Sequence, residues 1–528
     1  MEYLLTAEEM RACDREAVES GRITGQALMD KASLGVAKVA AKVLGDVRGK
    51  RIVVICGRGN NGGDGFGAAV YLGQMGAYVK VILTGTSVEV SGDAKVFYEK
   101  AKSMSSGQLK IEVEEFEKAS SSLNLNDYDL IVDAVLGTGL KDEPRDNAKT
   151  AIDLMSKAVP PVLAVDVPSG LDSDSGNVFE SATASVATAT MGFPKRGLLL
   201  NQGKQNSGTV YVVDIGMPPN LNALATVETT VITGPEVREL LPRRNIETHK
   251  HAVGKVFALV GSVGMTGAGI MVGKAAMRAG AGAVILGVPS ELNPIFESQL
   301  TEVMTVPLPQ TGDGSLSLAV LLQIQKNLEW ADVLVIGPGL SRNQETSQMV
   351  AKVLRSQERT IIVDADGLNA IADQPSILGD SKADIILTPH HGEFSRLTGF
   401  SAEEIARDRI EMARSYATEK KVTLVLKGSP TVIATKEGKV HVNVHGNPGM
   451  ATAGMGDVLT GIIAAMVSQK LSPSDAAIVG TYIHSVAGDV AFQSKGMYSL
   501  ISTDVIESLS QAFKKIENGE VVEFQRIS

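Results

Sequence analysis

Cysteine is almost absent from this 528-residue chain: there are two, Cys13 and Cys56, in no metal-ligand or redox spacing. That excludes a disulfide framework and a cysteine-held zinc site, and a reducing cytoplasm is the expected compartment. Long basic blocks are lacking too, and the formal net charge is −10, so a nucleic-acid backbone finds no electrostatic footprint. Anionic ligands must therefore be met by local basic groups or by backbone. Residues 1–15 have neither the basic start nor the apolar stretch of an export signal. The uncharged segment Val256–Gly273 is long enough on paper to span a membrane, but glycines at 261, 264, 267, 269 and 273 divide it into strand, turn and helix start. No membrane association is expected.

What the chain does have is glycine and aliphatic residues in short runs. Hydrophobic residues make up 44% and glycines number 54, as buried parallel sheets joined by tight turns require. The length is that of about two to four domains. After a helical opening from Thr6 to near Leu44, strand-length runs alternate with helical stretches: Arg51–Cys56, Ala77–Leu83, Asp129–Val135, Pro161–Val167, Ala184–Thr190 and Thr209–Ile215. Gly216-Met217-Pro218-Pro219-Asn220 reads as a linker, and a new series begins near Lys255. Its strands are expected at Val256–Val260, Ala283–Val288, Val333–Ile336, Thr360–Val363, Ile385–Leu387 and Thr423–Leu426, with a hairpin at Thr431–Thr435 and Val440–Val444. Two α/β domains, 1–220 and 221–528, are the expected organisation.

Each series carries its own glycine-rich anion cradle. The first, Gly57-Arg58-Gly59-Asn60-Asn61-Gly62, follows a strand and precedes a helix, as a dinucleotide fold requires. A redox domain also needs an acidic residue at the end of the second strand to hold a ribose; Val81-Ile82-Leu83-Thr84-Gly85 has none, so hydride transfer is disfavoured. Aspartates follow three strands, Asp64, Asp133 and Asp166, and can converge on one crevice at the carboxyl ends of the sheet. Any one of them alone could simply cap a helix or turn.

Gly-Asn-Asn-Gly-Gly-Asp-Gly, Asp133-Ala-Val-Leu-Gly-Thr-Gly and Val-Asp166-Val-Pro-Ser-Gly-Leu-Asp together resemble the NAD(P)H-hydrate epimerases. The resemblance implies a Rossmann-like three-layer α/β/α domain that interconverts the R and S forms of NADHX and NADPHX, cofactors hydrated at the nicotinamide ring. It implies that substrate is bound by Asn60, Asn61, Gly62, Gly63 and Asp64, by Gly137, Thr138, Gly139, Leu140, Lys141, Asp142 and Glu143, and by Asp166. It implies a potassium ion on Asn61, Asp133 and Ser169, and oxygen-only ligation suits such a hard cation. Epimerising the hydrated carbon requires the hydroxyl to leave and return, or an equivalent proton-assisted opening; Asp166 is the expected acid and base.

The second cradle runs from Asn447 through Gly454-Met455-Gly456-Asp457 into an apolar helix. Backbone N–H groups and the helix dipole can stabilise a transferring phosphoryl group while a carboxylate takes a proton from the attacking hydroxyl. A glycine turn with an N-terminal acidic residue would look the same in isolation. Thr388-Pro389-His390-His391-Gly392-Glu393, Lys427-Gly428-Ser429-Pro430-Thr431, Gly337-Pro338-Gly339 and Asp364-Ala365-Asp366-Gly367 extend the pattern, and together they resemble the ADP- or ATP-dependent NAD(P)H-hydrate dehydratases of ribokinase-like α/β fold. The resemblance implies that Lys427, Gly428, Ser429, Pro430, Thr431 and Gly456 hold the nucleotide. Ala268, Gly339, His390 and Asp457 would contact the hydrated cofactor, with Asp457 as catalytic base. Glu393 is expected to organise magnesium and phosphate. His391 stands where the family usually has proline, and His249 and His251 are assigned no role.

The expected activity is therefore a two-step repair: epimerisation of NAD(P)HX, then dehydration of the (6S) form with ADP or ATP. The alternatives are a ribokinase-like small-alcohol kinase with an accessory first domain, and a first domain acting as a non-catalytic scaffold. Oligomeric state is undetermined by the sequence, and a homo-oligomer stays open.

Overall fold

A computed structural model describes residues 2–104, 110–120, 122–243 and 253–528; His249 and His251 lie outside the described residues. It divides into two compact units, Glu2–Thr229 with Phe524–Ser528, and Thr230–Glu523. Residues 221–229 belong with the first unit because Leu221, Leu224 and Val227 enter its core and the Glu16 carboxylate accepts the N–H groups of Asn222 and Ala223.

The sheet of the first unit is parallel throughout. Its spatial order is Gln525–Ile527, Thr209–Val213, Ala187–Met191, Val162–Val165, Leu130–Ala134, Arg51–Cys56, Tyr78–Leu83, Ile111–Glu115. Aliphatic side chains on both faces explain the near-continuous runs: Ile52, Val54 and Cys56 pack into one core, and Val53 and Ile55 into the core on the other side. Helices Ala7–Glu19 and Gly25–Leu44 are started by Thr6 and Thr24, whose hydroxyls accept the N–H of Glu9 and Ala27.

In the second unit the order is Val440–Asn443, Thr431–Ala434, Thr423–Leu426, Ile385–Leu387, Ile361–Val363, Val333–Ile336, Lys255–Leu259, Ala283–Pro289, Met304–Leu308. Thr431–Ala434 pairs antiparallel with both Thr423–Leu426 and Val440–Asn443, and the pairs from Thr423–Leu426 to Met304–Leu308 are parallel. The suspect segment at 256 resolves into strand Lys255–Leu259 and helix Thr266–Arg278, and no helix among the described residues is long and apolar enough to cross a membrane. Both units thus have the expected α/β layering.

Candidate active sites

In the first sheet the chain runs outward from Arg51–Cys56 in one direction and resumes on its other side at Leu130–Ala134. Ligands of open α/β sheets bind at such a reversal of strand order. A cleft of about 1730 Å³ opens there, lined by Asn60, Asn61, Asp64, the loop Gly137–Glu143 and Asp166. Close backbone approach dictates the glycines: a Cβ on Gly62 would lie 1.9 Å from the Gly57 carbonyl oxygen, and one on Gly57 2.1 Å from that of Val135. Gly62 and Gly63 thus shape the turn from behind, Gly63 against Met29 and Ala94. Thr84 lines the cleft where a redox domain would place its acid, and its hydroxyl donates to the Cys56 carbonyl.

Asp133 does not share the cleft with Asp64 and Asp166. It lies within its strand rather than beyond it, fully buried, and is occupied by protein donors. Oδ1 accepts the Val135 N–H and the Ser169 hydroxyl, while Oδ2 accepts the Ser169 N–H and the Thr183 hydroxyl. Thr183 carries no motif that would have pointed to it. Asn61 Nδ2 is buried without a partner among the described residues. Asp172 serves a turn, accepting the N–H groups of Asp174 and Ser175.

Sequence reasoning also missed the cation at the cleft floor. Lys195 has a fully buried side chain whose ammonium donates to Asp166 Oδ1 at 2.5 Å, Thr190 Oγ1 at 3.1 Å and the Met191 carbonyl at 2.9 Å. Asp166 sits at φ +65°, a backbone state costing about 1–3 kcal/mol for a residue with a side chain. Arg11, Arg15, Arg58, Lys141 and Arg145 also line the cleft, interleaved with acidic residues, and Arg58 is paired with Glu89.

The second sheet reverses between Lys255–Leu259 and Val333–Ile336. The two loops that leave these strands are joined: the Gly261 N–H donates to the Pro338 carbonyl and the Ser262 hydroxyl to that of Gly339. Ala268 and Gly339 are brought together, since a Cβ on Gly339 would lie 3.1 Å from that of Ala268. Lys427 donates to Asp364 Oδ1 at 2.8 Å and lies 3.8 Å from Glu393, and a Cβ on Gly456 would stand 3.0 Å from its ammonium. Asp364, part of a sequence motif that assigned it no role, is the hub: it also accepts the Thr460 hydroxyl. Burial raises its carboxyl, but Lys427 and the hydroxyls of Thr388 and Thr460 outweigh that and hold it below the usual range. Asp457, in the first turn of helix Met455–Ser468, is pushed up to about 7 by burial and then by Asp364, against the pull of Lys427.

His390 caps helix His391–Thr398: its Nδ1 accepts the N–H groups of Gly392 and Glu393, and Glu393 returns a bond to the His390 N–H. His391, in the place of the usual proline, packs beside Gly428, and burial followed by the Arg409 charge lowers it to about 4, leaving it neutral.

The cradle at 447 has an anchor of its own. Asp489 accepts the Gly446 N–H and the Asn447 amide, and His445 lies between Asp489 (3.6 Å) and Glu523 (3.4 Å). Burial lowers His445, but the two carboxylates outweigh it and raise the imidazole to about 8. A group raised on folding stabilises fully below its unfolded value of about 6.5, and that stabilisation is lost as pH rises through about 8. Thermal melting should show the second unit losing up to about 2 kcal/mol between pH 6.5 and 9. His445→Gln should flatten that dependence; an unchanged profile would remove His445 as its source.

Fold and sites define a two-domain α/β enzyme with one candidate centre in each unit. Residues 25–197 match the family model for the YjeF-related protein N-terminus, and residues 256–511 match that for NAD(P)H-hydrate dehydratase. The chain is 40% identical to the bifunctional NAD(P)H-hydrate repair enzyme Nnr of Moorella thermoacetica, over 98% of this chain and 97% of that one. It is 33% identical to the Escherichia coli enzyme of the same name, over 98% and 94%. Among solved structures, the ADP/ATP-dependent NAD(P)H-hydrate dehydratase from Bacillus subtilis, co-crystallised with ATP/Mg2+, is 30% identical; the match covers 54% of this chain and 98% of that one, with a TM-score of 0.48. The chain belongs to the family of bifunctional NAD(P)H-hydrate repair enzymes.

Proposed function

We infer that the first unit epimerises NADHX and NADPHX at the hydrated ring carbon and that the second dehydrates the (6S) form, using ADP or ATP. The observation that carries this is the presence, in one chain, of two separate carboxylate–lysine centres, Asp166–Lys195 and Asp457 beside Lys427–Asp364, each past the carboxyl ends of its sheet's strands. In the first, the glycine-rich cradle before helix Asn60–Gln74 takes the pyrophosphate and Asp166 transfers the proton at the ring. In the second, Asp457 takes the proton of the ring hydroxyl as its oxygen attacks the terminal phosphorus. The phosphorylated oxygen then leaves as phosphate, the ring nitrogen's electron pair assists, and loss of the neighbouring ring proton restores the dihydropyridine. Lys427, Gly428, Ser429, Pro430, Thr431 and Gly456 hold the nucleotide; Ala268, Gly339 and His390 hold the hydrated cofactor.

Asn61, Asp133 and Ser169 would hold potassium in the first unit. The set is all oxygen, as a hard monovalent ion prefers, and the Asn61 amide is the group left open to it, its Nδ2 having no partner among the described residues; Asp133, whose oxygens already accept four protein hydrogen bonds, would contribute charge rather than a free lone pair. Glu393 would organise Mg2+ in the second: Oε2 is used by the His390 N–H, while Oε1 has only His390 Nε2 at 3.6 Å. One carboxylate with phosphate and water oxygens is an ordinary magnesium set, offsetting charge on the transferring group. Product analysis tests the reading. With pure (S)-NADHX and nucleotide, NADH and inorganic phosphate should form one for one; a stable phosphorylated product would instead support the small-alcohol kinase.

A further inference from the structure

Inversion at one tetrahedral carbon makes a demand on the epimerase cleft that a single carboxylate meets poorly. The hydroxyl leaves from one face of the ring and returns to the other, so a proton is given on one face and taken on the other. A carboxylate fixed by hydrogen bonds, as Asp166 is by Lys195, Thr190 and the Met191 N–H, serves the side on which it is fixed.

Among the carboxylates that line this cleft, three from different elements lie within one another's field and that of Lys195: Asp14 from helix Ala7–Glu19, Asp64 from helix Asn60–Gln74, and Asp166 after strand Val162–Val165. The buried cation among them is spent. Lys195 directs all its hydrogen bonds to Asp166, Thr190 and Met191, so Asp166 alone is ion-paired. No hydrogen bond from the described residues shifts the Asp14 or the Asp64 carboxyl. The environments are therefore separate: Asp166 has the cation, and the other two face the cleft without one. Separation of this kind marks acid and base partners. Burial raises Asp14 to about 6, with Lys195 lowering and Asp166 raising it, which suits a group that both gives and takes a proton near neutrality. Burial, then Asp166 and Asp14, hold Asp64 well above the carboxylate range, which favours its protonated form.

We propose that Asp14 is the second proton-transfer carboxylate of the epimerase, working on the ring face opposite that served by Asp166. The proposal rests on the epimerase reading above. Protonated Asp14 gives its proton to the departing hydroxyl; the carbon–oxygen bond breaks, water leaves, and the ring nitrogen's lone pair forms a nitrogen–carbon double bond. Water then adds from the other face, Asp166 takes its proton, and the double-bond pair returns to nitrogen. The opposite epimer runs the same steps with the two carboxylates exchanged, and solvent exchange restores the starting protonation.

The test is Asp14→Asn and Asp14→Glu in the full chain, following conversion of (R)- to (S)-NADHX by chromatography without nucleotide. Asp14→Asn should lower kcat about a hundredfold with KM within about twofold, and Asp14→Glu should recover part of the loss. Dehydration of pure (S)-NADHX should be unchanged in both, which confines the effect to the first unit, and the retained KM shows that unit is folded. Normal kcat in Asp14→Asn, or a loss confined to KM, overturns the assignment. If the unsubstituted chain itself does not interconvert the epimers, the epimerase reading fails, and Asp14 with it.

Discussion

Asp457→Asn is expected to lower dehydration of (S)-NADHX by about a thousandfold while leaving epimerisation intact. Asparagine keeps the size and the helix-terminal position but cannot take the proton of the attacking hydroxyl. The native carboxyl is well suited to accept it, because burial, Asp364 and Glu393 lift its pKa to about 7 and Lys427 limits the rise. A base acts when ionised, so kcat/KM of the dehydratase should rise with pH through about 7 and level off above it. NADH absorbance with pure S epimer reads both effects. A variant within tenfold of the native rate would leave phosphoryl transfer to positioning alone and remove Asp457 as base.

The second large effect is at the other centre, where activity and stability can be separated. Asp166→Asn should cut epimerisation by about a hundredfold to ten-thousandfold. It also strands the Lys195 ammonium, whose side chain is fully buried, and breaking such a pair from one side costs about 3–5 kcal/mol. Adding Lys195→Met removes the orphaned charge. The double variant should therefore melt close to the native temperature and still be inactive as an epimerase. Recovered epimerisation in the double variant would show that Asp166 mattered only as Lys195's partner.

Much of this was legible in the residues, and the omissions have physical reasons. Strands with aliphatic residues on both faces were found nearly to the residue, Val333–Ile336 and Ile385–Leu387 among them. Two missed strands lie at sheet edges, where the pattern is not that of a core. Ile111–Glu115 alternates with glutamates, two of which pair with Lys80, and Met304–Leu308 contains Pro307, which an edge tolerates. The C-terminal strand Gln525–Ile527 joins a sheet whose preceding strand ends at Val213, a pairing no local periodicity reports. Glycine cradles were visible because close backbone approach demands glycine. Lys195, Asp14 and Thr183 were not, because each reaches its site from an element with no motif of its own. Asp133 lies beside Ser169 but away from the cleft that Asp64 and Asp166 line, because its strand carries its side chain into the interior, a direction that its place in the sequence does not report.

The central claim is that one chain performs both steps. Mixed (R)- and (S)-NADHX should be incubated with the full chain, K+, Mg2+ and either ADP or ATP, over a time in which uncatalysed epimerisation is negligible, and NADH absorbance followed to its end. Complete recovery of NADH with at least one nucleotide is the expected result. A plateau at the amount of S epimer initially present would contradict it.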